Sequence, residues 1–108
     1  MKKEIMGSAS SYNKKYYFNP AFAKLPASVQ KKVQIICVGY AEKVHGIFSM
    51  GFYTDGSLFF ETTGEADDFN YDEIGAPLEI EKLKRDEKDL LKALQTWYAV
   101  YKTDEGKK

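Results

Sequence analysis

The side chains best suited to chemistry crowd one short stretch, Asp67, Asp68, Tyr71, Asp72 and Glu73. Asp68-Phe69-Asn70-Tyr71-Asp72 places oxygen ligands at the first, third and fifth positions of a calcium loop, with Glu79 at the twelfth. Glu73 stands where such a loop needs glycine, Pro77 falls inside it, and a hairpin rather than a helix precedes it. A calcium loop of that type is therefore disfavoured. What remains is a weaker expectation: a divalent-metal or small-ligand pocket at residues 67–73, built from carboxylates and a tyrosine. No cofactor is expected.

Nucleophilic catalysis has little to work with. The single histidine, His45, lies eight residues beyond the single cysteine, Cys37. On a helix that is about 12 Å of rise, too far for a thiol–imidazole hydrogen bond. Cys37 sits among Ile35, Ile36 and Val38 and reads as a buried, inert thiol. His45 reads as a capping or surface residue at a helix end. The glycines are scattered, with no phosphate-binding pattern and no nucleophile elbow. The enzyme question stays open, leaning towards no.

Charge is segregated along the chain. Sixteen Lys plus Arg balance sixteen Asp plus Glu, which argues against a general polyanion binder. Residues 1–44 nevertheless carry +6, residues 45–80 carry −8 without one Lys or Arg, and residues 81–108 carry +2. The basic and acidic blocks are expected to lie close together, within a subunit or across an interface. Lys14, Lys15, Tyr16 and Tyr17 could stack and pair with single-stranded nucleic acid, but the acidic block disfavours that partner.

The elements that must position these groups follow from periodicity. Val29, Val33, Ile36, Cys37, Tyr40 and Val44 keep helical spacing from Ala27 to Val44, with Pro26 in the first turn and Gly46 placed as the left-handed residue beyond the end. Ile35 and Val38 fall off that stripe, so the helix is apolar on more than one side, and Val33–Val38 would also suit a buried strand. Ile47–Tyr53 and Leu58–Thr62 flank Thr54-Asp55-Gly56-Ser57 and predict a β-hairpin. Leu78-Glu79-Ile80-Glu81 alternates and suits either a short third strand or the start of the last helix. Leu90, Leu91, Leu94, Trp97, Tyr98 and Tyr101 make one continuous stripe on that helix.

The expected fold class is α+β: an N-terminal helix, an antiparallel hairpin and a C-terminal amphipathic helix packed on the sheet. One domain spans residues 12–102, between a mobile N-terminus of residues 1–11 and a flexible tail of residues 103–108. Aromatic residues make up 15% of the chain, more than one sheet face and the last helix need. The surplus points to self-association through Tyr16, Tyr17, Phe18, Phe48, Phe52 and Phe60. With a positive start but no apolar stretch behind it, and no apolar run near the length of a membrane span, a cytoplasmic location without membrane partners is expected.

Lys15-Tyr16-Tyr17-Phe18-Asn19-Pro20, Asp55-Gly56-Ser57-Leu58 and Asp67-Asp68-Phe69-Asn70-Tyr71-Asp72-Glu73-Ile74-Gly75 are similar to a family of small proteins of clostridial and related bacteria, a domain of unknown function. The resemblance covers roughly residues 12–102 and implies a cytoplasmic bacterial protein. It carries over no catalytic residue. A non-enzymatic interaction or dimerisation domain is the leading reading, and the pocket at residues 67–73 is the alternative.

Overall fold

The computed structural model describes residues 2–65 and 69–107. Two antiparallel hairpins are joined by a long helix and followed by two more helices. The chain runs β1 (Lys3–Ser10), β2 (Lys15–Phe18), a 3-10 turn (Pro20–Phe22), α1 (Ala27–Val44), β3 (Ile47–Tyr53), β4 (Leu58–Thr63), α2 (Gly75–Asp86) and α3 (Lys88–Lys107). The strands form one sheet in the order β2-β1-β3-β4, antiparallel throughout. The fold is α+β. No helix among the described residues is long and apolar enough to cross a membrane.

The helices cover one face. Ala9, Phe48, Met50 and Phe52 point from the two central strands into a core closed by Val33, Ile36 and Cys37 of α1. Phe22 stacks on Phe52, with ring centroids 5.9 Å apart, and meets Trp97 of α3 at 5.8 Å. Tyr98 stacks on Phe52 at 4.2 Å. Leu83 of α2 and Leu91 and Leu94 of α3 join the same cluster. The other face has no helix on it. There Ser8 and Ser49 share a hydrogen bond of 2.8 Å, and Phe59 packs across Gly51 beside Tyr53. Most of the aromatic surplus therefore fills this protein's own core.

Several expectations need correcting. Residues 3–10 are not a mobile end but a central strand, paired to both β2 and β3. A bulge between Ile5 and Gly7 shifts the register, so Met6 and Gly7 are both buried and the two-residue period is broken. Gly7 faces α1 closely: a Cβ there would stand 3.1 Å from Val33 Cγ1 and 3.2 Å from Cys37 Sγ. A strand with a helix laid so tightly on it needs small residues, and small residues give little periodic signal. The element order thus starts with strands rather than a helix.

Residues 78–81 form neither a third strand nor the start of the last helix; they lie inside α2. Pro77 sits in the first turn of that helix, where its missing N–H breaks no bond. The helix-end residue in left-handed conformation is His45 (φ 56°, ψ 51°), not Gly46. His45 N–H donates to Glu42 C=O and Gly46 N–H to Ala41 C=O, the Schellman pattern. Gly46 is small for another reason: a Cβ there would stand 2.9 Å from the Tyr71 ring. The helix over residues 27–44 and the hairpin around Asp55-Gly56 are as expected. The backbone of α3 continues through the expected tail to Lys107.

Candidate functional site

The acidic stretch does not converge on a pocket among the described residues. Asp67 and Asp68 lie outside the described residues. Tyr71 turns inward: its hydroxyl donates to Thr62 Oγ1 at 2.9 Å, and its ring packs against Gly46 and Gly64. Asp72 is exposed and caps α2, its carboxylate accepting the Gly75 N–H at 2.7 Å. Glu73 is exposed. Among the described residues no three His, Cys, Asp or Glu side chains gather in a metal-ligating arrangement. A shallow polar cavity of about 310 Å³ nearby is lined by Tyr12, Lys14, Glu42, His45 and Asn70, but by neither Asp72 nor Glu73. Lys14 and Glu42 pair with each other inside it at 2.6 Å.

The expected interface residues scatter over the fold. Phe48 and Phe52 are fully buried in the core, which removes them from any partner surface. Tyr16 and Phe18 are half-buried on the helix-covered face, because they pair with Ala9 and Gly7. Tyr17, paired with Ser8, stands 53% exposed on the open face. Phe60 lines a cavity.

That cavity is a groove of about 520 Å³ between β4 and the α2–α3 junction. Leu58, Phe60 and Leu91 supply apolar lining, and Ser57 and Gln95 add neutral polar groups. Lys84, Lys88 and Lys92 supply its charge, and no carboxylate lines it. Lys84 Nζ lies 5.9 Å from the centre of the Phe60 ring and 3.6 Å from Glu81. Lys88 and Lys92 make no ion pair among the described residues.

The three lysines share a side because α2 and α3 are nearly continuous. Glu87 departs from helical geometry (φ −110°, ψ 26°), yet its N–H reaches Leu83 C=O and its C=O accepts from Leu91 N–H, both at 2.9 Å. Residues 84, 88 and 92 therefore keep nearly the four-residue spacing of one helix face. That spacing was available in the sequence, where the net +2 of residues 81–108 concealed it.

The groove also runs beside backbone with no partner strand. β4 is an edge of the sheet. Tyr53 N–H donates to Ser57 C=O at 2.8 Å, so the antiparallel alternation turns the N–H and C=O groups of residues 59, 61 and 63 towards β3. Those of Leu58, Phe60 and Thr62 face outwards. An apolar floor, three cations and free strand-edge groups can together hold an extended, acidic, apolar-anchored segment.

The basic and acidic blocks do meet within the chain. Lys3 of the first block pairs with Glu61 of the second, and Lys43 lies 3.8 Å from Glu79. The first pair is solvent-exposed, whereas Glu79 is half-buried and the oxygen nearest Lys43 is covered. The hydrogen bond that Lys3 donates to the Glu61 carboxylate raises its ammonium above its ordinary pKa.

No curated protein and no solved structure matches the chain. The resemblance found in its sequence is shown at the level of the family: the model of a family of unknown function, DUF6145, matches residues 3–106, and the chain belongs to that family.

Proposed function

We propose that this protein is a non-enzymatic interaction domain that binds an acidic protein segment with an apolar anchor, in the groove between β4 and the α2–α3 junction. The observation that carries the reading is the composition of that groove: Leu58, Phe60 and Leu91 beneath Lys84, Lys88 and Lys92, with no carboxylate among the lining residues. Lysines held beside apolar surface, two of them (Lys88 and Lys92) without an ion pair among the described residues, favour an anion that also brings hydrophobic area. The free edge of β4 adds backbone hydrogen bonds for an extended chain.

Calorimetric titration of the Phe69→Asp chain, which keeps every groove residue and removes an exposed apolar side chain that could compete for the groove, with a synthetic acidic peptide carrying one phenylalanine tests this. Saturable binding at one site is expected, weakened about tenfold or more in the K84E/K88E/K92E chain. The absence of binding, or equal affinity for both chains, would overturn the reading.

A further inference from the structure

We infer that the acidic segment seated in this groove belongs to a second copy of this chain, in a two-fold dimer formed across the two β4 edges. This deepens the binding function proposed above and rests on it. Among the described residues, three of the exposed large apolar side chains lie within ten positions of one another: Phe69 (100% exposed), Ile74 (84%) and Leu78 (67%). They fall in the block that lacks any cation and are accompanied by Glu65, Asp72, Glu73 and Glu79. The chain thus carries both halves of a complementary pair, an acidic apolar segment and a lysine-lined apolar groove.

Topology places the two halves at opposite ends of one edge. Tyr71 bonds Thr62 near the end of β4, and Gly75 opens α2 close by. Lys84, late in α2, lies over Phe60, and Lys88 and Lys92 follow beside Leu58. α2 therefore runs back along β4, with its acidic end at residue 63 and the lysines at residues 57–60. A two-fold axis perpendicular to β4 sets two copies of this strand antiparallel, so the acidic end of each copy falls beside the lysine groove of the other. The outward N–H and C=O groups of Leu58, Phe60 and Thr62 then pair across the axis, and a liability of the lone subunit, its open strand edge, is covered.

Sedimentation equilibrium of the full chain, at low and high salt, tests the dimer. The wild type is expected to dimerise, more weakly at high salt. Phe69→Asp and K88E/K92E should each raise the dissociation constant about tenfold or more, with circular dichroism unchanged. E65K/E73K should behave alike. An equimolar mixture of K88E/K92E with E65K/E73K should restore association, because each altered surface then meets an opposite charge. A wild-type monomer at high micromolar concentration, or a dimer indifferent to these substitutions, would overturn the inference. The acidic phenylalanine peptide, titrated into the Phe69→Asp chain, separates the two levels. Groove binding there, with a monomeric wild type, removes the dimer and keeps the binding function; no binding removes both.

Discussion

The ammonium of Lys84 lies 5.9 Å from the centre of the Phe60 ring, joining the late part of α2 to the edge strand of the sheet. The aromatic surplus of the sequence points to Phe60 as part of a partner surface. Its position is more specific: half-buried at the rim of the core, it is at once a wall of the fold and part of the groove lining. Substitution of the lysines should separate those roles. The K84E/K88E/K92E chain should unfold within about 1 kcal/mol of the wild type, since all three side chains are exposed. Urea denaturation checks this, and a much larger loss would make the lysines structural.

The stacked rings of Phe22, Phe52, Trp97 and Tyr98 tie the sheet to α3. Phe52 is fully buried, so Phe52→Ala should cost about 3–5 kcal/mol through lost burial and the cavity left behind. The midpoint of chemical denaturation gives the value.

Gly51 is occupied from both sides. A Cβ there would meet the carbonyl of Glu4 in β1, and would stand 2.8 Å from a ring carbon of Phe59. Gly51→Ala should therefore destabilise the protein by about 1–3 kcal/mol, because backbone on one side cannot retreat. Thermal unfolding of that variant is the check.

His45 ends α1 in the left-handed region, which disfavours side chains with a Cβ. It is exposed, so its ring contributes little packing. His45→Gly should stabilise the fold by about 1 kcal/mol. A denaturation midpoint at or below that of the wild type would contradict this.

Burial raises the Cys37 thiol from 9.0 to about 12 and raises the Tyr16 phenol as well. In both, the folded state favours the neutral, protonated form. For Cys37 the stabilisation is complete below the unfolded pKa and fades as pH rises from 9.0 towards about 12, because the unfolded chain releases its proton first; that of Tyr16 fades from 10.0 upwards. Stability should decline over that interval, less steeply in Cys37→Ala. Thiol labelling should be negligible in the native protein and fast in denaturant.

Much of the helical layer was legible because its apolar residues recur at helical spacing, as along Val33, Ile36, Cys37 and Tyr40. The second hairpin was legible because Asp55-Gly56 marks its turn, with Gly56 at φ 91°. β1 leaves no strand signal because its bulge and its small residues, Gly7, Ser8 and Ala9, erase the alternation of a strand. The helical character of α2 is masked in the sequence because Leu78-Glu79-Ile80-Glu81 alternates by coincidence: Leu78 is exposed while Ile80 packs on the core. The groove was missed for a different reason. Its apolar lining comes from β4 and α3 and its cations from both sides of the α2–α3 junction, so only the three-dimensional arrangement joins them.

The most direct test of the central claim is an amide chemical-shift map. The isotope-labelled Phe69→Asp chain, whose groove is left open to an added ligand, is titrated with the acidic phenylalanine peptide. Shifts concentrated at Leu58, Phe60, Lys84, Lys88, Leu91 and Lys92 are predicted. Shifts centred on the open sheet face around Tyr17 and Ser49, or none at all, would contradict it.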